Sequence, residues 1–487
     1  MNPNELVAAI NRAWEETLGT MPESDDEGFL DVGGNSLLAV RLSVAIADRG
    51  LPLLDLGVFE GNPTVGMLHR LVETQLHGEV PKEEAPAVVI GEPLEPSRVE
   101  ESIWVGSKLF DSRAYIVGRA YRVTGHLDAS RLLQSFDQVA LATPSLMSAY
   151  HLTTEGLRKT HRTAASNGYA RASACKEYAI PGVLAEFFAE PFDLTCPPHA
   201  RCLLVNVAEG LSYVLIAYHH IAVDLTSVNS FLGQLGACYA GNPRWKSEVL
   251  QSGPKLLAPL RESAEYWRSV FDTPVDDRLA RRVSSRGPQP RTVLFHSERI
   301  EAGSRRARSG SLTVLSLAAV WLALRDVSGS TDHVMLVPMD LRGATDATPV
   351  GCAIEVVPVR VRGEAAGPAE LLEVCRDALH AAHRHRACPV SSTLGSGDAY
   401  SLRPDNRWLR VLVDVNQQRE RLQLGKCQVT ELPVPESAIP FDLQFEFERA
   451  GGVVEMETRW RTTSVDRMSA LRIIERVSRH LKTVSEQ

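Results

Sequence analysis

The chain has 487 residues, of which 44% are hydrophobic and 23% are charged, and its formal net charge is −8. This balance is that of a globular protein and excludes a mainly disordered or low-complexity chain. Nothing resembles the basic face of a nucleic-acid-binding protein. The longest nearly apolar run, residues 311–324, is too short to span a bilayer and predicts a buried helix. Eight scattered cysteines without a CxxC pair favour free thiols over a disulfide or zinc framework. With no secretory signal at the start, we expect a cytoplasmic protein that binds neither metal nor membrane.

The charge is concentrated at the N-terminus, where residues 1–78 hold 12 acidic and 4 basic side chains, a net of −8. Apolar residues recur at helical spacing over 6–18, and a second helix opens near Ser36. A short third helix at 53–59 and a fourth after Pro63 complete a predicted four-helix bundle. A small acidic domain of this kind can bind transiently to basic patches on partner proteins.

The rest of the chain is predicted to be a linker and two lobes. Residues 79–93 contain three prolines, four glutamates and no aromatic residue, which indicates an extended linker. From residue 94 onward, strand-like runs alternate with helical ones, and this α/β region is too large for one core. We therefore expect an N-lobe at 94–275 and a C-lobe at 276–487. The predicted strands include 115–123, 203–208, 211–218, 333–338, 354–361 and 410–415.

Ser36 stands out as a candidate attachment site. It follows Gly33-Gly34-Asn35 and opens a predicted helix. The glycines let the backbone turn tightly, and the free N–H groups of a helix N-terminus suit a phosphate ester. The alternative is that Ser36 is only an N-cap residue.

A double histidine follows the apolar strand 211–218. The motif is His219-His220-Ile-Ala-Val-Asp224, and a helix comes next. A histidine at the end of a strand can act as a general base, since its unperturbed pKa lies near neutrality. Asp224 would fix the local geometry through an internal salt bridge. The alternative is a pair of histidines satisfied by hydrogen bonds in the core.

Residues 1–78 resemble a peptidyl or aryl carrier protein of a nonribosomal peptide synthetase. The resemblance rests on the motif D-x-G-G-x-S-L within an acidic four-helix module. The resemblance implies that Ser36 carries 4′-phosphopantetheine, attached by a separate phosphopantetheinyl transferase. A thiol-ended arm of this kind reaches on the order of 20 Å.

Residues 94–487 resemble a condensation domain of the same synthetases. The matching elements follow in the expected order: Ser97 with Trp104, Gly125-His-Leu-Asp128, Pro191-Phe-Asp-Leu194 with Arg201, His219 to Asp224, Tyr266-Trp267, Pro338 with Arg342, Val350-Gly351 through Arg360, and Phe441-Asp-Leu443. The resemblance implies an α+β multidomain protein, in which the four-helix carrier bundle precedes a two-lobed α/β condensation domain. Its lobes would be related to chloramphenicol acetyltransferase and arranged in a V around a tunnel.

The same resemblance assigns roles to the motif residues. His220 would orient or deprotonate the acceptor nucleophile, and His219 would be structural. Asp224 would pair with an arginine, for which Arg342 is the first candidate and Arg201 the second.

Several positions depart from the family pattern. Leu225 replaces the glycine that ends the HHxxxDG motif, and Ala353 and Glu355 replace an aromatic residue and an asparagine near the tunnel. Strand alternation places Ala353 and Glu355 on one face. We expect Glu355 to line the acceptor side of the tunnel and to select a basic amine; the alternative is a surface glutamate on an edge strand. Cys352, next to them, is expected to be a small buried filler rather than a nucleophile.

These patterns predict a carrier–condensation pair in a nonribosomal peptide pathway. A donor thioester on Ser36 would be condensed with an amine, or a hydroxyl, of a downstream carrier protein or a free molecule. No adenylation domain is seen, so an adenylation enzyme would load Ser36 in trans, unless the chain is a piece of a larger assembly line. Two alternatives stay open: a non-catalytic domain that recruits tailoring enzymes, and a carrier–epimerase pair, although the second epimerase motif is not found.

Overall fold

The chain divides into two compact units, each built around its own sheet. The first unit comprises Met1–Pro254, Ala344–Ala353 and Glu420–Ser437, and the second comprises Lys255–Gly343, Ile354–Arg419 and Ala438–Gln487. The structure is a computed structural model that describes residues 3–29, 31–32, 36–52, 54, 58–59, 63–77, 93–109, 111–153, 156–161, 169–242, 256–275, 293–301, 311–342, 350–363, 367–388, 390, 410–416, 420–435, 438–450 and 453–485.

The first unit opens with helices. They are α1 (Pro3–Leu18), α2 (Ser36–Ala47), α3 (Val65–His77) and α4 (Arg98–Leu109). The first three surround a core in which the ring of Phe29 lies 6.1 Å from Trp14 and 4.9 Å from Phe59. The predicted helices at 6–18, at Ser36 and after Pro63 are therefore observed, whereas most of the predicted helix at 53–59 and the linker residues 79–92 lie outside the described residues.

The helix that begins at Ser36 packs within the first unit. α2 lies against α4 and β3 (Gly156–His161). Burial beside α2 raises the pKa of Glu101 on α4, and the positive charge of Arg41 on α2 offsets part of that rise. α2 thus connects the N-terminal helices to the fold that follows them.

A five-stranded sheet forms the centre of the first unit. Its strands are β1 (Ile116–Thr124), β4 (Ala170–Ala174), β5 (Ala200–Ala208), β6 (Leu211–His219) and β11 (Gln428–Leu432). They lie in the order β11-β1-β6-β5-β4, and every neighbouring pair is antiparallel except β4 with β5. β2 (Ser148–Thr153) pairs separately with β3. Three helices complete the unit: α5 (Ala129–Leu141), α6 (Ile180–Ala189) and α7 (Leu225–Tyr239).

A six-stranded sheet forms the centre of the second unit. Its strands are β7 (Val293–Glu301), β8 (Asp332–Asp340), β9 (Ile354–Arg362), β10 (Val411–Asn416), β12 (Leu443–Ala450) and β13 (Val453–Arg461). They lie in the order β7-β13-β12-β10-β8-β9. Its helices are α8 (Ser263–Val270), α9 (Leu312–Ser328), α10 (Pro368–His385) and α11 (Arg467–Ser485).

The apolar run near residue 311 is a buried helix, as predicted. α9 packs against α11 and the sheet, and its Trp321 is fully buried while its indole Nε1 donates to Val361 O at 3.1 Å. The helix ends at Gly329, whose φ of 72° is a left-handed conformation that favours glycine. Among the described residues, no helix is long and apolar enough to cross a bilayer.

Arg360 ties β9 to the segment after α8. Its guanidinium donates to both carboxylate oxygens of Asp332, at 2.8 and 2.5 Å, and to the carbonyl oxygens of Val270, Thr273 and Pro274. The side chain is almost fully buried, so these partners satisfy a charge that would otherwise be costly to bury. The arginine of the Val350-Gly351 to Arg360 motif therefore has a structural role in this fold.

Candidate functional site

The candidate site begins where β6 ends. β6 is a buried central strand between β1 and β5, and it delivers His219 and His220 to a short turn before α7. The backbone of the turn is fixed, because His219 N–H donates to His199 O at 3.0 Å and His220 N–H donates to Tyr115 O at 2.8 Å. The two imidazoles consequently leave the strand in defined and different directions.

His219 is a core residue. Its side chain is 1% exposed, and its ring lies 6.2 Å from that of Tyr115 and 6.1 Å from that of Phe192. Burial lowers the pKa of His219 well below its usual range, and the nearby His199 and His220 lower it further. Since Nδ1 accepts from the Ile221 N–H at 3.2 Å, the neutral ring carries its proton on Nε2. These contacts favour the predicted structural role.

His220 is the accessible member of the pair. It is partly exposed, and its Nδ1 lies 3.5 Å from the Cys352 Sγ, a contact between residues 132 positions apart. With Nδ1 directed at this sulfur, Nε2 is the nitrogen that remains available to another molecule. A neutral imidazole with one available nitrogen can accept a proton from a nucleophile.

Asp224 fixes the other end of the turn. It is the N-cap residue of α7, with a side chain that is 2% exposed. Its Oδ1 accepts from the Ser227 N–H at 2.9 Å and lies 2.8 Å from Ser227 Oγ, while its Oδ2 accepts from the Ala353 N–H at 3.0 Å. One carboxylate therefore caps the helix and also holds a segment more than a hundred residues away.

Ser227 adds a second connection to that segment. Its Oγ accepts from the Gly351 N–H at 3.0 Å and lies 2.8 Å from Gly351 O. We name residues 350–353 the clamped segment, because Asp224 and Ser227 hold its backbone on both sides of Cys352.

The two predicted arginine partners of Asp224 have different outcomes. Arg201 is not a partner, because its guanidinium donates to Phe187 O at 2.9 Å and Glu190 O at 2.5 Å and lies 4.2 Å from the Phe192 ring centroid. Its position on β5 directs it toward α6 and the Pro191-Phe192 turn instead. Arg342 belongs to the second unit, where it pairs with Asp340 at 3.2 Å, and its pairing with Asp224 stays a prediction.

The two substituted positions near the motif lie in different units. Ala353 is fully buried in the clamped segment of the first unit. Glu355 lies on β9 in the second unit, opposite Met339, and is partly exposed. The role of these residues as tunnel walls stays a prediction.

Leu225, the third departure, has a simple local explanation. It is the first residue of α7, directly after the N-cap. Residues at this position adopt helical backbone angles, which any L-amino acid reaches, so the helix begins normally without the glycine of the family motif.

A buried polar cluster lies at the start of α4. Ser97 and Glu100 form a reciprocal capping box, in which Ser97 N–H donates to Glu100 Oε2 at 2.6 Å and Glu100 N–H donates to Ser97 Oγ at 3.2 Å. The Glu100 carboxylate also accepts from Tyr150 Oη at 2.8 Å and from Lys159 Nζ at 2.8 and 3.0 Å. Burial raises the pKa of Tyr150, and the neighbouring Glu100 and Cys352 raise it further.

The candidate attachment residue lies at a helix start, as predicted. α2 begins at Ser36, and the N–H groups of a first helical turn have no intrahelical acceptors. That local backbone fits a phosphodiester. The preceding residues Gly33, Gly34 and Asn35 lie outside the described residues.

The comparisons with known proteins identify the family. Residues 97–487 match the model of the Condensation domain, so the chain belongs to that family. Residues 8–72 match the Phosphopantetheine attachment site, which carries 4′-phosphopantetheine covalently on a serine. The prediction of a nonribosomal peptide synthetase carrier followed by a condensation domain is confirmed. Condensation domains of these synthetases are peptide-bond-forming transferases.

Among curated proteins, the similar ones are peptide synthetases. Surfactin synthase subunit 2 of Bacillus subtilis (strain 168) is 25% identical over 519 residues, covering 99% of this chain and 14% of that protein. Gramicidin S synthase 2 of Brevibacillus brevis is 24% identical over 412 residues, covering 77% of this chain and 9% of that protein. The chain thus spans only a small part of the length of these relatives.

Solved structures show the same fold. The first condensation domain of the CDA synthetase has a TM-score of 0.65 at 17% identity, covering 81% of this chain and 96% of that one. The X-domain from teicoplanin biosynthesis, solved in complex with OxyB, has a TM-score of 0.64 at 20% identity and covers 82% and 95%. The predicted α+β condensation fold is therefore confirmed.

Several site contacts were not predicted. Ser227 stands three residues after Asp224, a spacing that signals an N-cap but does not reveal the bond to Gly351, 124 positions away. No local pattern indicates that Cys352 meets His220. Only the folded chain brings these residues together.

We predict that the Asp224 carboxylate stabilises the first unit beyond helix capping. Asp224→Asn keeps one carbonyl oxygen for Ser227 but places an amide group where Ala353 N–H needs an acceptor, so it should lower the free energy of unfolding by about 1–3 kcal/mol. Asp224→Ala should lower the free energy of unfolding more than Asp224→Asn does, because it removes both carboxylate oxygens. Urea unfolding measures both.

The matched control is Asp128→Ala. Asp128 caps α5 through Arg131 N–H at 3.0 Å near the surface, and its loss should cost about 1 kcal/mol. Equal losses for Asp224→Ala and Asp128→Ala would show that the bond to Ala353 adds nothing.

We predict an acid-sensitive stability to which His219 contributes. Its pKa is lowered in the folded state, so below the unfolded value of about 6.5 the unfolded chain binds more protons. The free energy of unfolding should fall as the pH drops from about 6.5 to 5, by up to about 1.4 kcal/mol per pH unit for each such histidine. His69, His161, His383 and His385 also have lowered pKa values and add to the slope.

The Asn side chain in His219→Asn keeps an acceptor for Ile221 N–H but does not titrate. The free energy of unfolding, measured with urea at several pH values in this range, should therefore fall less steeply with decreasing pH than in the wild type. The control is His126→Asn at an exposed position, which should keep the wild-type slope. An unchanged slope in His219→Asn would mean that His219 is protonated equally in both states.

Proposed function

We propose that this chain forms an amide bond between an acyl group carried on Ser36 and an amine acceptor, with His220 as the residue that assists the acceptor. The observation that carries the proposal is the arrangement at the end of β6. The partly exposed imidazole of His220 lies beside the buried, neutral imidazole of His219. The His220 backbone is held by its N–H bond to Tyr115 O, and the His219 ring is held by the bond that its Nδ1 accepts from Ile221 N–H.

The attachment residue is proposed to be Ser36. When attached there, 4′-phosphopantetheine supplies the thiol that carries the acyl group as a thioester. The start of α2 fits the phosphate, and α2 packs against α4 in the unit that also contains His220. Ser36, which would carry the arm, and His220 therefore belong to one compact unit, which supports a role for both in the same reaction.

His220 would act on the acceptor through Nε2. The attacking amine must lose a proton as its nitrogen bonds to the acyl carbon, and Nε2 can take it while Nδ1 stays directed at Cys352. The proton then passes to the departing sulfur, so the imidazole ends neutral. Asp224 and Ser227 keep the turn and the clamped segment in place.

The partners follow from this chemistry. A phosphopantetheinyl transferase would modify Ser36, an adenylation enzyme would load it, and the acceptor would be a free amine or an amine on a downstream carrier protein. We propose that Glu355 lies on the acceptor side and favours a cationic amine, since a carboxylate attracts a positive charge.

Ser36→Ala is the direct test of this function. We predict that a phosphopantetheinyl transferase adds the mass of 4′-phosphopantetheine to the wild type and not to Ser36→Ala, and that only the loaded wild type yields amide product with a panel of amines. Intact-mass spectrometry reads both steps. Glu355→Gln should raise KM for cationic amines and leave loading unchanged.

The alternatives give distinct results. Product from hydroxyl acceptors would indicate an ester-forming enzyme. A loaded Ser36 that yields no product with any acceptor would contradict the proposal and favour a domain that recruits tailoring enzymes. Exchange of the α-proton of a carrier-bound residue would favour an epimerase.

A further inference from the structure

Cys352 and His220 form a thiol–imidazole pair that the proposed condensation does not use. The Cys352 Sγ lies 3.5 Å from His220 Nδ1, within hydrogen-bond reach for sulfur. Cys352 is 3% exposed, whereas His220 is partly exposed. A small molecule that reaches the imidazole therefore arrives next to the thiol.

The position of the thiol is fixed from both sides. Gly351 N–H donates to Ser227 Oγ at 3.0 Å, and Ala353 N–H donates to Asp224 Oδ2 at 3.0 Å. Because these bonds hold the residues before and after Cys352, its side chain is presented to His220 by the backbone of the clamped segment and does not depend on its own packing alone.

The reactivity of a cysteine thiol depends on the group that its sulfur contacts. The Cys238 Sγ donates to Gln138 Oε1 at 3.2 Å, and the Cys427 Sγ donates to His126 O at 3.3 Å. Those oxygens accept a hydrogen bond but cannot take up the thiol proton at neutral pH. An imidazole can, and a thiol paired with a base is the arrangement that activates a cysteine nucleophile.

We propose that Cys352 is a covalent acyl acceptor that takes acyl groups from thioesters with His220 as the base. In the tautomer of His220 that carries its proton on Nε2, Nδ1 accepts the Sγ proton, and the thiolate attacks the thioester carbonyl carbon. The condensation uses the other tautomer, in which Nε2 is the acceptor. A new C–S bond forms to Cys352 as the old C–S bond breaks, and the departing thiolate recovers the proton from Nδ1. No oxidant or reductant is involved, and a later attack by an amine on the acylated Cys352 would release the free thiol.

The inference rests on the proposed acyl-transfer function of this site, and its test does not use Ser36. The Ser36→Ala protein is incubated with S-acetyl-N-acetylcysteamine, and the acetyl adduct is located by intact mass and peptide mapping. We expect one adduct on Cys352 that neutral hydroxylamine removes, as it removes a thioester. Cys352→Ser in the same background should lose it.

The dependence on His220 separates a paired thiol from ordinary reactivity. His220→Ala should slow acetylation of Cys352 at least tenfold, and His220→Gln provides a second variant if the alanine protein does not fold. Exposed Cys196 serves as the internal control, because its acetylation should not change with His220.

Two results would overturn the inference. One is acetylation of Cys196 without acetylation of Cys352; the other is acetylation of Cys352 at the same rate in the His220 variants. If Cys352 stays unmodified while loaded Ser36 still gives amide product, this inference alone fails. If neither adduct nor product forms, the proposed function fails with it.

Discussion

The geometry of the site depends on the hydrogen bonds that the Asp224 carboxylate accepts from Ser227 N–H and Ala353 N–H. This carboxylate caps α7 through Ser227 and accepts from Ala353 N–H, a residue 129 positions along the chain. A buried carboxylate is stable only when such donors satisfy its oxygens. The same bonds that stabilise this charge therefore join the end of β6 to the clamped segment and bring Cys352 to His220.

The two histidines show how burial divides the roles of adjacent residues. His219 points into the core, where the loss of hydration lowers its pKa and keeps it neutral. His220 follows it by one position and is directed to the other side, where it is partly exposed and meets a thiol. A strand end produces this division because successive side chains point to opposite faces. His219 can then stabilise the turn, while His220 can accept and donate a proton.

The sequence predicted the elements and the motif better than the contacts. The apolar run 211–218 and the HHxxxD spacing placed both histidines at a strand end, and the predicted helix at α9 and the helix start at Ser36 are observed. The prediction that Arg201 pairs with Asp224 was wrong, because the Arg201 guanidinium lies over the Phe192 ring and donates to carbonyl oxygens at the C-terminal end of α6. Long-range contacts such as Ser227 with Gly351 have no local signal, since they depend on how the chain returns to the first unit.

Single-turnover kinetics of the loaded chain tests the central claim, that His220 assists the acceptor, most directly. Wild type and His220→Ala are acylated on Ser36 to the same extent, mixed with a saturating amine, and quenched over time for quantification of the amide by mass spectrometry. General-base assistance is worth about 10²–10⁴-fold, so a folded His220→Ala protein should form the amide at least about 100-fold more slowly. Equal rates in the two proteins would contradict the account and leave positioning of the reactants as the source of catalysis.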